Sequence, residues 1–315
     1  MEYNKEYAFV RGFNVHGDWG SHGITEWLDF DAKRYKMMID IAKKRFPGMN
    51  TVRIWLSFDA YLADKNKYLQ AVRMASEILT GAGLYIIPVY FNGWISTPSF
   101  GGFTVESLSE GHIPAYERCA RDTVRVLQNA NILLHDISNE PYNNTLDNQT
   151  AFDKVTNFLE RMIRTVREED SRRITVGTQG YPKPNNRNIC DIDRLAPFVD
   201  VFSLHPYNIN GLPTAEFEKQ FLSVIDYVEK FKKPYIITES IWGAPDEDGR
   251  KLYLDSEFTT YAKYDVGFLV HALFTSPVAD TNPMDLYGFN NMLYMAFLDK
   301  EFNIRKHHDI FNRYS

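Results

Sequence analysis

Two glutamates at matching places in the chain could do paired chemistry. Glu140 follows the apolar run that opens Ile132-Leu133-Leu134-His135-Asp136-Ile137, and Glu239 follows Tyr235-Ile236-Ile237-Thr238. In both, a short apolar stretch turns abruptly polar, the pattern of a buried strand reaching its C-terminal tip. Pro141 stops the first from continuing as ladder or helix, because it lacks a donor and fixes φ. A carboxylic acid that protonates a departing oxygen, facing a carboxylate that attacks or activates water, is the equipment for breaking a glycosidic bond. The two lie 239 − 140 = 99 residues apart. That is three strand-helix units of roughly 33 residues, which puts them on strands 4 and 7 of an eight-stranded barrel, facing one another.

The elements that must hold them can be read in order. Tyr7 to Asn14 is expected as strand 1, Thr51 to Trp55 as strand 2, Leu84 to Tyr90 as strand 3, and Ile132 to Ile137 as strand 4. Ile174 to Thr178, Asp200 to Leu204, Tyr235 to Thr238 and Val266 to Leu273 complete the set. Between them lie helical patterns: Asp31 to Phe46, Asn66 to Thr80 with Asn66 as its cap, Ile113 to Asn131, Gln149 to Glu169, a short helix from Ile189, Ala215 to Lys232, and Glu247 to Tyr264. Strand and helix alternate without a linker or a change of composition, and the connections on one side are longer. The expected fold is α/β, a single (β/α)8 TIM barrel forming one catalytic domain over residues 1–315. The long connection from Phe91 to Gly111 and the segment from Thr275 to Asn291 are expected to shape the cleft. Lys306-His307-His308-Asp309 reads as solvated surface.

Composition narrows the partners. With 315 residues, 44% of them hydrophobic, the chain can bury a large core, and a net charge of −6 with no basic run argues against nucleic acid. The first residues show no basic leader before an apolar stretch, and no later run approaches a spanning helix, so a soluble chain with no membrane partner is expected; compartment stays open. Cys119 and Cys190 make no disulfide framework. No cofactor is called for.

Other chemistry-bearing residues fall at the same strand ends. Arg53, in Thr51-Val52-Arg53-Ile54-Trp55, points inward near the tip of strand 2, where a fixed cation keeps a neighbouring carboxylate ionised. His205 and Tyr207 follow strand 6, beside strand 7. With Asn139-Glu140-Pro141, His205-Pro206-Tyr207 and Glu239 in this order, the sequence resembles the clan A glycoside hydrolases, and most of all family 5, the cellulase and mannanase type. The resemblance implies that Glu140 is the general acid/base, Glu239 the nucleophile, and Asn139 the partner of a sugar 2-hydroxyl. Arg53 and Tyr207 would hold Glu239, and His205 would line the same pocket. A β-linked oligo- or polysaccharide is the implied substrate, cleaved with retention if the carboxyl groups stand about 5 to 5.5 Å apart. Glu140 must then begin protonated near neutral pH.

Two places depart from the family's pattern. Its usual histidine at the end of strand 3 is absent from Val89-Tyr90-Phe91-Asn92-Gly93-Trp94, so Asn92 or Trp94 stands in. Its usual tryptophan at the end of strand 8 is absent from Phe268 to Phe274, where His271 is the polar residue. Trp19, Trp55, Trp94 and Trp242 fall at or after strand ends and are candidate sugar platforms, with Trp94 and Trp242 preferred because neither lies in a regular element. Two rival readings are a metal-dependent hydrolase using His16, Asp18, His22, His205 and His271, and a barrel that binds carbohydrate without cutting it.

Overall fold

The computed structural model describes residues 4–20, 22–93, 102–145, 148–178, 187–276 and 296–315, with only the backbone taken at Asn144 and at 187–190. Its strands form a closed, wholly parallel barrel in the order β1 to β8. They are β1 (Arg11–Val15), β2 (Thr51–Trp55), β3 (Tyr85–Asn92), β4 (His135–Asn139), β5 (Ile174–Thr178), β6 (Phe202–Leu204), β7 (Tyr235–Ile237) and β8 (Phe268–Val270). The return helices include α2 (Ala32–Arg45), α4 (Lys65–Gly81), α5 (Ile113–Val126), α6 (Gln149–Glu169), α7 (Arg187–Leu195), α8 (Thr214–Val228) and α9 (Glu247–Tyr264). Two further helices, α1 (Gly23–Leu28) and α3 (Phe58–Ala63), occupy the connections after β1 and β2, where no helix was expected. They are too short to show a full helical period, so the pattern did not reveal them.

Boundaries move where caps decide them. The cap of α4 is Asp64, whose side chain accepts from the Lys67 N–H, and not Asn66. Strand 4 begins and ends later than its apolar run, because Asn139 pairs with Asn92 on β3 and so belongs to the ladder. His308 is fully buried, which corrects the reading of that segment as solvated surface.

Alternation along each strand sorts the core into two. Val52, Ile54, Ile86, Ile137, Tyr235 and Ile237 join the large cluster between sheet and helices. Their neighbours Ile87, Leu134, Val201, Ile236 and Leu269 form a separate small cluster, closed by Tyr7 and Val10. With a period of two, these face the barrel interior and plug its N-terminal end. The polar residues further along the same strands are thereby raised onto a packed apolar floor.

Candidate active site

Arg53 is the hub of that upper layer. Flanked by outward Val52 and Ile54, it must point inward, and it is wholly buried. Its Nη1 donates to Glu239 Oε1 at 2.5 Å and to Asn14 Oδ1 at 2.9 Å, its Nη2 to Asn139 Oδ1 at 2.9 Å, and its Nε to Asp136 Oδ2 at 2.9 Å. Burial alone would weaken the guanidinium's hold on its proton, but Asp136 and Glu239 outweigh it and the pKa is raised. Burial pushes Asp136 upward, with Arg53 opposing.

Strict alternation cannot bring both Asp136 and Asn139 to one guanidinium, because residues three apart point to opposite faces of a strand. The ladder resolves this with a bulge: Asp136 pairs with Thr175 but Asn139 with Gly177, so β4 carries one extra residue over that span. Glu140 then turns into the left-handed region with φ of 43°. A non-glycine residue held there is strained by about 1–3 kcal/mol, and its N–H is fixed to the Gly177 carbonyl at 2.9 Å. Gly177 leaves room for this packing, since a Cβ on it would stand 3.0 Å from the His205 ring and 3.1 Å from Arg53 Nη2 and would press on both.

The two glutamates converge. One oxygen of each and one ring nitrogen of His205 all lie within 4.8 Å of one another, and all three residues are buried. His205 Nδ1 is 2.8 Å from Glu140 Oε1 and 3.7 Å from Glu239 Oε2, while its Nε2 meets Thr238 Oγ1 at 3.0 Å. Burial lowers the His205 pKa to about 4, so the ring is neutral at pH 7. Either tautomer satisfies both contacts, because a carboxyl group and a hydroxyl can each give or take a proton. Asn143 donates to Glu140 Oε2 at 2.6 Å, and the Tyr207 hydroxyl donates to Glu239 Oε2 at 2.9 Å. Glu239 is thus held by a cation and a phenol, whereas the described partners of Glu140 are neutral.

The remaining expected residues divide. Asn92, at the tip of β3, accepts from Asn139 Nδ2 at 3.2 Å, so it occupies the place where a histidine was missed. Trp242 stands edge-on to Tyr207, with ring centroids 5.3 Å apart. His271 closes the β8 side beside His16 and Trp55, whose centroids are 6.0 and 6.4 Å away. Trp55 lies under the Arg53 guanidinium at 4.9 Å, which brings an aromatic ring to the pocket from strand 2. Trp19 instead packs edge-on against Phe30 and Tyr35 and gives its N–H to the Glu26 carbonyl. Trp94 lies outside the described residues, as do much of the connection after β3 and most of the segment after β8.

The rival metal set does not assemble. Asp18 is paired with Arg34 at 2.6 Å, and His22 caps α1 through the Thr25 N–H. Among the described residues, the one grouping with metal-ligand spacing is Glu140, His205 and Glu239. Asn14, Asp136 and Asn143 were not foreseen. Asp136 alone left a trace in the sequence, as a charge inside an apolar strand two positions before Ser138.

Buried histidines give the fold a pH dependence. Burial lowers His135 to about 4, His308 to about 3 and His271 well below the ordinary value of 6.5, as it does His205. As pH falls from 6.5 toward 4, the unfolded chain binds protons that the native rings refuse, so stability drops. Glu257, raised by burial to about 7, acts in the opposite sense: its contribution is present below the ordinary 4.5 and fades as pH rises through 7. Asp136, also raised by burial, acts in the same sense as Glu257. Four rings against two carboxyl groups leave a net loss on acidification. Calorimetry is expected to show the melting temperature falling between pH 6.5 and 5; a flat or rising trend would contradict these protonation states.

The profile described as cellulase (glycosyl hydrolase family 5) matches residues 3–273. No curated protein matches the sequence. Among solved structures, an exo-β-1,4-mannosidase from Opitutaceae bacterium strain TAV5 is 16% identical with a TM-score of 0.72, covering 99% of this chain and 60% of its own. This chain therefore spans three fifths of that relative's length. An endo-β-1,4-mannanase from Thermotoga petrophila is 13% identical with a TM-score of 0.67, covering 100% of this chain and 76% of its own. A broad specificity endoglucanase from Clostridum cellulovorans is 16% identical with a TM-score of 0.66, covering 99% and 97%. At such identities the likeness is one of fold. The match over residues 3–273, from before β1 to just past β8, shows that the chain belongs to the cellulase family, glycosyl hydrolase family 5.

Proposed function

We propose that the chain hydrolyses β-linked glycans with retention of configuration, through a covalent glycosyl-enzyme ester on Glu239. The observation that supports this is the convergence of two differently held glutamates on His205, with one oxygen of each within 4.8 Å of the other; retention goes with carboxyl groups about 5–5.5 Å apart and inversion with about 6.5–9.5 Å, which the configuration of the product distinguishes. Glu239, beside Arg53 and Tyr207, attacks C1 as the glycosidic bond breaks. Glu140 gives its proton to the leaving oxygen, then removes one from the water that attacks C1 and frees Glu239.

Charge supports the division of labour. Asp136 and Glu239 already surround the single guanidinium, and His205 is neutral. The described partners of Glu140, by contrast, are the neutral Asn143 and His205, which suits it to give a proton while Glu239 attacks. Asn139, fixed by Arg53 and Asn92, is suited to a sugar hydroxyl, and Trp242 and Trp55 to its apolar face. The mannosidase, mannanase and endoglucanase of the same fold support β-1,4-linked manno- or gluco-configured substrates.

The test is proton NMR of the first product from such substrates, expected to be the β anomer. Its α anomer would mean inversion, and tight binding with no new reducing ends would mean a binding module. Glu140→Ala is expected to lower kcat/KM for glycosides with poor leaving groups by about 10²–10⁴-fold and to spare kcat/KM for 2,4-dinitrophenyl glycosides, which depart without a proton, while kcat falls on both because the water then lacks its base. Equal loss of kcat/KM on both would remove Glu140 from the acid role.

A further inference from the structure

Helix α9 carries a polar stripe that the reaction itself does not use. Arg250, Glu257 and Tyr261 recur at helical spacing on its inner side and are all fully buried. Glu257 Oε2 accepts the Ile241 N–H at 2.8 Å and the Tyr261 hydroxyl at 2.9 Å, and its Oε1 accepts the N–H groups of Asn208 at 3.1 Å and Trp242 at 3.3 Å. Arg250 Nη2 donates to the carbonyls of His271 at 2.8 Å and Ile241 at 3.2 Å. Its Nη1 reaches His308 Nε2 at 3.4 Å. His308 Nδ1 faces the Lys306 carbonyl at 2.7 Å, which can only accept, so the ring's proton is there and its lone pair is turned to Arg250.

Ile241 is therefore gripped at both its N–H and its C=O. Its backbone requires that: φ is 67°, the left-handed region, which a β-branched side chain avoids. The same two side chains reach all three strand ends around the nucleophile. Asn208 adjoins Tyr207, Ile241 and Trp242 follow Glu239, and His271 follows β8.

We propose that Glu257 and Arg250 are positioning residues, which hold Ile241 in its strained conformation and thereby set the Glu239 carboxylate and the Trp242 ring against the sugar. The proposal rests on Glu239 being the nucleophile, and the experiment separates the two. The probe is a 2,4-dinitrophenyl 2-deoxy-2-fluoro-β-glycoside, whose ester with the nucleophile persists. Peptide mapping of the labelled wild type tests the assignment of Glu239 on its own; a label elsewhere ends it, and with it this inference.

Given a label on Glu239, Glu257→Gln is expected to slow labelling at saturation by about 30- to 100-fold, the scale of a small misplacement, with the binding constant within about threefold of wild type. Arg250→Lys keeps the charge, loses the fork, and is expected to cost about tenfold. Adding Ile241→Gly, which adopts positive φ freely, is expected to return most of the lost rate while lowering the melting temperature through lost packing. A residue with a merely structural role would not move rate and stability in opposite directions. Labelling within twofold of wild type in Glu257→Gln and Arg250→Lys, or no recovery on adding Ile241→Gly, overturns the proposal. Should Glu257→Gln fail to fold, Arg250→Lys with and without Ile241→Gly decides it.

Discussion

Glu239→Gln is expected to lower kcat by about 10⁵-fold or more, the scale on which loss of a covalent nucleophile acts. The amide keeps the shape of the side chain and can still take a hydrogen bond from Arg53, which donates to Oε1 at 2.5 Å. What it lacks is the negative charge that the proposed mechanism directs at C1. Substrate affinity is expected to change little, because the sugar's other contacts remain, so KM or direct binding should stay within a few fold. Initial rates on an aryl β-glycoside, with binding followed by calorimetry, measure both. Turnover above about a thousandth of wild type would falsify the assignment of the nucleophile. Azide added to Glu239→Ala is expected to yield the α-glycosyl azide, since a small anion then occupies the vacated side of C1.

Arg53→Met carries the largest expected loss of stability, about 3–5 kcal/mol, because it strands buried carboxylates. Asp136 and Arg53 are fully buried and Glu239 nearly so, and the guanidinium is the shared partner of Asp136, Glu239, Asn139 and Asn14. Activity should fall with it, since Glu239 would lose the donor that fixes its carboxylate in place. Asp136→Asn in the same background removes one stranded charge and is expected to return about 1–2 kcal/mol, a coupling typical of direct contacts. It should return no activity, because Glu239 still lacks its cation. Denaturant melts of the two single variants and the double variant measure the coupling. Additive losses would show that Asp136 and Arg53 do not act as a unit.

Much of the scaffold was legible because periodicity survives without tertiary context. The bounds of β2, β5 and α6 follow from apolar spacing, and the starts of α6 and α9 from the capping side chains Asn148 and Asp246, which are local signals. Elements with weak local signals moved: β6, β7 and β8 shrank to three residues each, since ladder partners and not composition end a strand. His308 looked like surface because its neighbours are charged, but its ring packs on Phe297 and meets Arg250, 308 − 250 = 58 residues earlier in the chain.

By itself the sequence determined that strand tips would carry Glu140 and Glu239 and that Arg53 would point inward, because alternation and run length are properties of the chain alone. Only the tertiary structure decided how those groups are held. The bulge that turns both Asp136 and Asn139 toward Arg53, the left-handed turn at Glu140, and the grip of Arg250 and Glu257 on Ile241 all join residues far apart along the polymer. Hydrogen bonds between distant segments, and the backbone strain they sustain, leave no periodic trace in either segment, so they appear only once the barrel has closed.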